Sequence, residues 1–346
     1  MHIKDIIPGY QIISKSIKPT DIYQGNLSNC YLLSALSALA ENPSRVLRIL
    51  PQTSSNKRHI YSVLLCKTGI FEEILLDGYF PAKHGKKFKF CHTRNEDIWP
   101  MLVEKAYSKI FGAYWNTGLG GCAVNALKDL TGMPSEIFKL SNVKYEDIWQ
   151  KTKESLDRGY VVIASSKSDN SMTKKGLASW HAYTVLSLIV DSGRHLIKLR
   201  NPWGKGVWIS EDSQLVKINS QFKDAENAGV FVMPFEELLI NFEELSICHY
   251  EENYVYTQKR HKYTDNDIFA FQVVIETAGD YYISISKPDK RFLWSCSPDS
   301  FISVVMVKVA IDKTATYAGG VGGIHRDPFF KTRLTAGTYV AYVDRL

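Results

Sequence analysis

Three residues of this chain are of types that together can break an acyl bond, and each has a neighbourhood suited to it. Cys30 stands in DIYQGNLSNCYLLSALSALA, where a loop gives way to an apolar run. A nucleophilic cysteine needs a thiol that deprotonates near neutral pH, a base within reach, and donors where the oxyanion of a tetrahedral intermediate will form. A helix beginning at Cys30 offers a partial positive charge to the thiolate and free backbone N–H groups to the oxyanion. Gln24, upstream across Gly25, can bring a side-chain amide to the same place. His181 follows Ser179 and Trp180 and opens an apolar run to Val185. Asn201 lies in LRNPWG, where Asn-Pro ends a strand sharply. Its amide can accept from one imidazole nitrogen and fix the tautomer, and Trp203 can cover that bond. Each residue alone has a plainer reading: a small core cysteine, a strand histidine, a turn asparagine. Only as a set do they outweigh it.

These residues must be positioned by regular elements. The run 31–39 reads as a buried helix closed by Asn42-Pro43. Stretches 60–65 and 71–76 read as a strand pair, and 98–110 as an amphipathic helix with Pro100 in its first turn. After Gly118-Leu119-Gly120-Gly121 the helical pattern resumes over 123–130, and Thr131-Gly132-Met133-Pro134 breaks it. Beyond Gly132 the texture becomes mostly strands, at 161–164, 182–190, 195–200 and 229–233, with a short helix over 234–239. From about residue 251 every run is β-type: 268–275, 281–285, 302–309 and 338–343. Regular short strands between turns predict a β-sandwich. The chain stops directly after such a run, so a strand or two of that sandwich is expected to be missing.

Composition narrows the class. With 346 residues, 45% hydrophobic and 23% charged, the chain suits two or three domains and gives no case for disorder. The net charge of +6 is dispersed. The densest basic runs, 84–89 and 259–262, read as solvated loops, and no nucleic-acid signature accompanies them. Cys30, Cys66, Cys91, Cys122, Cys248 and Cys296 lack the spacing of a zinc module or a secreted disulfide framework. The N-terminus has no signal-peptide core, and no window reaches the length of a membrane helix. A reducing cytoplasm is the expected location. Cys122 also sits at a helix start but lacks a Gln upstream, so it reads as structural.

The order Cys, His, Asn is that of papain-like proteases. Here the resemblance becomes specific. DIYQGNLSNCYLLSALSALA resembles the calpain nucleophile motif, and HAYTV and LRNPWG resemble the calpain histidine and asparagine motifs. WPMLVEKAY, Gly120-Gly121 and DLTG follow in family order, and DYYISISKPDKRF and LTAGTYVAYVD resemble the calpain β-sandwich. The resemblance implies an α+β papain-like core of two subdomains, the helical one at 1–132 with Cys30 and the antiparallel β one at 133–248 with His181 and Asn201, then an all-β sandwich at 249–346. It implies Cys30 as nucleophile, His181 as base and then acid, Asn201 as orienter and Gln24 as oxyanion donor. Trp203 would wedge between the subdomains, and Gly120 and Gly121 would admit a substrate backbone. The activity implied is limited proteolysis of proteins by an intracellular cysteine endopeptidase under calcium regulation, with no organic cofactor. The alternatives are a catalytically silent relative acting as a scaffold and a transglutaminase-type acyl transferase, which would want an aspartate where Asn201 stands.

The family binds one calcium ion per subdomain, and this chain departs from that pattern. Asp21 and Glu104 match carboxylate ligands of the first site. At the second, Lys205 and the Ala228-Gly229-Val230 stretch replace acidic residues, so that site is expected to be lost and calcium activation weakened or altered. Pro19 and Thr20 stand where an Arg is usual, which puts the family's charged coupling between subdomains in question. Trp180 replaces a usual glycine and is expected to narrow the leaving-group side of the cleft. Protein substrates are the implied partners. The sandwich is a candidate for membrane or lipid contact, and a calmodulin-like small subunit is not expected.

Overall fold

An eleven-residue stretch without a charge, Cys30–Ala40, forms a central helix of the larger unit. Every side chain from Tyr31 to Ala40 is buried, which is why this helix needs no polar face. The computed structural model describes residues 1–85, 87–169, 175–224, 227–261, 269–289 and 301–345, without the side chains of Asn142 and Arg345. Lys86, Lys262, Ile268 and Cys296, which the sequence reading invoked, lie outside the described residues.

The chain divides into two compact units: Met1–Cys66 with Phe71–Tyr254, and Lys67–Ile70 with Val255–Leu346. In the first, the central helix packs against helix Ala123–Thr131, which ends on Gly132 in the left-handed conformation. Helix Trp99–Ile110 starts with Pro100 in its first turn, where a missing N–H costs nothing. Strands Tyr61–Lys67 and Ile70–Leu76 pair as a two-stranded sheet.

The rest of this unit is built on a six-stranded sheet. Its order is Ser135–Lys139, Phe242–Cys248, Val161–Ser166, Ala182–Asp191, Arg194–Arg200 and Val230–Pro234. All its pairings are antiparallel. Two helices here were not anticipated, Tyr145–Asp157 and Ser213–Ser220. The first turns Ile148, Trp149, Thr152 and Ser155 inward. Two of those four are polar, so the apolar period that announces a helix is diluted. Ile148 and Trp149 pack with Tyr183, Phe231, Phe235 and Phe242 in the core of this region.

Strand register brings the chemistry together. Ala182–Asp191 and Arg194–Arg200 are antiparallel neighbours, with Thr184 opposite Arg200. The residue before the first strand is His181 and the residue after the second is Asn201. A hairpin places the start of one strand beside the end of the other, so these two side chains meet for topological reasons.

The second unit is all β among the described residues. A four-stranded sheet runs in the order Phe269–Ile275, Gly337–Arg345, Ile302–Val309 and Ala315–Gly323, and Gly279–Ser284 pairs with Phe329–Leu334. Ile275, Met306, Leu334 and Tyr339 form its core. Strands Ala315–Gly323 and Phe329–Leu334 were not anticipated. Four glycines in the first hide its β character. Among the described residues, no helix is long and apolar enough to cross a membrane.

Candidate active site

The nucleophile loop is held by main-chain contacts. Tyr23 bridges to His92, and the Asn26 N–H donates to the Lys89 carbonyl at 3.0 Å. Gly25 between them has no room for a side chain, since a Cβ would lie 2.2 Å from the Phe90 carbonyl oxygen. This strap delivers the chain to Asn29, the helix N-cap, and then to Cys30. The Asn29 side chain does not cap. Its Nδ2 donates to Glu104 Oε1 at 2.7 Å.

Cys30 is partly exposed and its thiol donates to the Trp180 carbonyl at 3.9 Å. Burial pushes this thiol up, against the N–H groups of Tyr31, Ala182 and Cys30 itself, which favour the thiolate. Gln24 lies across the loop. Its Nε2 donates to the Leu27 carbonyl at 2.6 Å, and its Oε1 accepts from Trp203 Nε1 at 2.6 Å.

The histidine side is more tightly fixed. The His181 N–H donates to Ser166 Oγ at 2.9 Å, and its carbonyl accepts from the Ser166 N–H at 2.8 Å. Nothing in the apolar run around Ser166 marked that residue in the sequence. His181 Nε2 donates to Asn201 Oδ1 at 2.9 Å. The Asn201 amide cannot be reversed: its Nδ2 donates to the Gly206 carbonyl at 3.0 Å and its Oδ1 also accepts the Trp203 N–H at 3.0 Å. Nε2 therefore carries the proton and Nδ1 the lone pair. Nδ1 is buried and has no hydrogen-bond partner among the described residues. Burial pulls the imidazole down to about 4, against the Asn201 hydrogen bond, which raises it. The Trp203 indole covers this ring at a centroid distance of 4.0 Å.

Gly121 abuts Tyr31, the residue after the nucleophile, with a Cβ position 2.6 Å from its ring, whereas Gly120 faces open space. Trp180 is 72% exposed and holds φ +50°, a left-handed conformation that bulky residues rarely adopt. Cys122 is the N-cap of helix Ala123–Thr131, and burial followed by Glu244 pushes its thiol up.

Asp21 and Glu104, the expected carboxylate ligands, both accept hydrogen bonds from protein donors in this arrangement. Calcium takes about six to eight oxygens. Both Glu104 oxygens accept the Cys91 N–H, at 3.1 and 3.3 Å, and Oε1 also accepts from Asn29. Glu104 is 2% exposed, and burial raises its carboxyl to about 7. Asp21 Oδ2 accepts the Lys18 N–H at 2.8 Å. Among the described residues, no three His, Cys, Asp or Glu side chains converge to hold a metal.

A buried imidazole held on one nitrogen by an asparagine and unpartnered on the other among the described residues, with a cysteine at a helix start whose thiol reaches the carbonyl of the residue before that histidine, is equipment of the kind a cysteine peptidase uses. The sequence comparisons agree. The family model described as "Calpain family cysteine protease" matches residues 2–249, and the chain belongs to that family. It is 28% identical over 254 residues to the calpain-type cysteine protease DEK1 of Arabidopsis thaliana, covering 68% of this chain and 12% of that protein. It is 28% identical over 280 residues to calpain-8 of Rattus norvegicus, covering 75% and 39%, and 29% identical over 265 residues to the calpain-1 catalytic subunit of the same species, covering 71% and 37%. The matched region thus spans well under half of each relative.

Proposed function

We propose that this chain is an endopeptidase that attacks extended segments of proteins through Cys30, His181 and Asn201. The observation that carries this reading is the His181 ring, with Nε2 held by Asn201 and Nδ1 buried and unpartnered. Burial lowers the imidazole and raises the thiol, so both are neutral at rest. As the thiol attacks, its proton passes to Nδ1, the sulfur–carbon bond forms and the carbonyl oxygen gains charge. The Cys30 N–H and the Gln24 amide receive that charge. Imidazolium then protonates the leaving amine as the peptide bond breaks. Water, deprotonated by Nδ1, releases the acyl group and restores the thiol.

In this reading residues 1–132 and 133–248 are the two papain-like subdomains, Trp203 seals the histidine between them, and Gly120, Gly121 and Trp180 border the substrate. A cytoplasmic location keeps the thiol reduced. Calcium at Asp21 and Glu104 would first have to displace the Asn29 and Cys91 hydrogen bonds, so the dependence proposed is weak and no reaction step passes through the ion. Lipid contact by the β-rich unit stays part of the proposal.

The test is an epoxide or iodoacetamide probe with the labelled cysteine mapped by mass spectrometry, alongside casein cleavage, with and without calcium. Fast labelling at Cys30 and cleavage lost in Cys30→Ala are expected, with at most one core calcium bound by calorimetry. Even labelling of all accessible thiols would refute the protease reading, and two core calcium ions the calcium reading.

A further inference from the structure

The helix that starts at Cys30 ends at Glu41, its C-cap. A carboxylate there faces the negative end of the helix dipole, where a cation would be favoured. It is the first charge on an otherwise uncharged element. Its partner is Arg200, whose Nε lies 2.7 Å from Glu41 Oε1, with the arginine side chain 8% exposed and the glutamate 33%. Arg200 is the last residue of strand Arg194–Arg200 and directly precedes Asn201. Its Nη1 also donates to the Ala228 carbonyl at 3.4 Å, beside Gly229, whose carbonyl accepts the Asn201 N–H at 2.9 Å.

We propose that Glu41 and Arg200 are a positioning pair for the peptidase reaction, coupling the nucleophile helix to the strand end that carries Asn201; this rests on the protease reading above. The contacts run from Cys30 along its helix to Glu41, Arg200, Asn201 and His181, and the Cys30 thiol itself donates to the carbonyl of Trp180, the residue before that histidine. A helix of eleven residues is a rod of roughly 16 Å, so a shift at Glu41 is felt at Cys30. The charge arrangement argues for a role beyond packing. A buried guanidinium is costly without a partner, and a carboxylate at a helix C-terminus is locally unfavourable. Such a break with local preference marks a site where geometry matters. A neighbouring ion pair serves as contrast. Glu252 holds Arg45 at 3.3 Å and Arg48 at 3.9 Å, on and just after the next helix, Pro43–Leu47, and neither bond touches the Asn201 strand end.

The experiment compares the wild-type chain with Glu41→Gln, Glu41→Asp and Glu252→Gln. The readouts are kcat and KM on a quenched peptide and the pH profile of Cys30 alkylation by iodoacetamide. A misplacement of about 1 Å costs on the order of 100-fold in rate. Glu41→Gln is therefore expected to lower kcat by roughly 10- to 100-fold with KM little changed, and to remove the His181-assisted limb of the alkylation profile. Glu41→Asp should restore part of both, and Glu252→Gln should move neither. The pair is refuted if Glu41→Gln keeps the wild-type kcat and profile, or if Glu252→Gln shifts them equally. Wild type showing neither turnover nor Cys30-selective alkylation would instead remove the protease reading, and the pair with it.

Discussion

Two buried titratable groups belong to the candidate site and its surroundings, and each is held by one asparagine. On the nucleophile side Glu104 takes the Asn29 amide at 2.7 Å; on the other side His181 gives its Nε2 proton to Asn201 at 2.9 Å. The difference lies in what is left over. Both Glu104 oxygens are also occupied by the Cys91 N–H. His181 keeps a whole nitrogen unpartnered among the described residues. A satisfied buried group stabilises, and an unsatisfied one is a standing cost that persists where chemistry uses it. Similar materials thus build a strut on one side and, in the proposed mechanism, a base on the other.

The contrast breaks if the two groups respond alike to removal. Replacing His181 by Gln should reduce peptide hydrolysis by at least ~1,000-fold, the scale on which catalytic members act. Glu104→Gln, which keeps the shape and an acceptor, should leave kcat within about tenfold, because it only supports the loop geometry. Steady-state kinetics on one substrate decides it, and equal losses would make Glu104 part of the chemistry.

A second prediction concerns pH. His181 is held at about 4 when folded against an ordinary 6.5. Between those values the unfolded chain binds the extra proton, so stability is complete above about 6.5 and falls as pH drops toward 4. The loss from this group is up to ~3 kcal/mol. Unfolding free energies from urea titrations of wild type and His181→Gln across pH 4 to 7 should diverge by that amount; parallel curves would mean that the imidazole is hydrated when folded.

The smallest effect is expected at Trp180. Its left-handed backbone stores about 1–3 kcal/mol, which Trp180→Gly would relieve, while glycine's freedom in the unfolded chain gives back ~1 kcal/mol. A net gain between zero and ~2 kcal/mol in denaturant unfolding should accompany broader acceptance of bulky leaving-group residues. A clear loss of stability would show that the exposed indole packs on something.

Much of this geometry was legible in advance, for reasons that differ by residue. The Cys30 helix announced itself because burial on all sides demands an uncharged run. The meeting of His181 and Asn201 follows once 182–190 and 195–200 are read as adjacent strands. Ser166 and Glu41 gave no signal, because a hydroxyl in an apolar strand and a glutamate after a helix are individually unremarkable and gain meaning only from partners at 181 and 200. Helix Tyr145–Asp157 was missed because Thr152 and Ser155 fill core positions. Strand Ala315–Gly323 was missed because a glycine-rich segment has little intrinsic preference for a sheet. For calcium, Asp21 and Glu104 matched by type, but the hydrogen bonds that occupy Glu104 are a property of the folded neighbourhood.

One consequence falls on residues with no functional atoms at all. At Gly25 an added methyl would collide with the Phe90 carbonyl, and at Gly229, with φ +79°, it would lie 2.4 Å from the Asn201 carbonyl oxygen. In a saturation library screened for proteolysis, these two codons should tolerate as little variation as those for Cys30 and His181. They would differ in how they fail: inactive but folded molecules at the reactive positions, molecules with displaced loops at the glycines. A map of inherited or engineered loss of function would therefore mark the backbone's closest approaches as sharply as the reacting groups themselves.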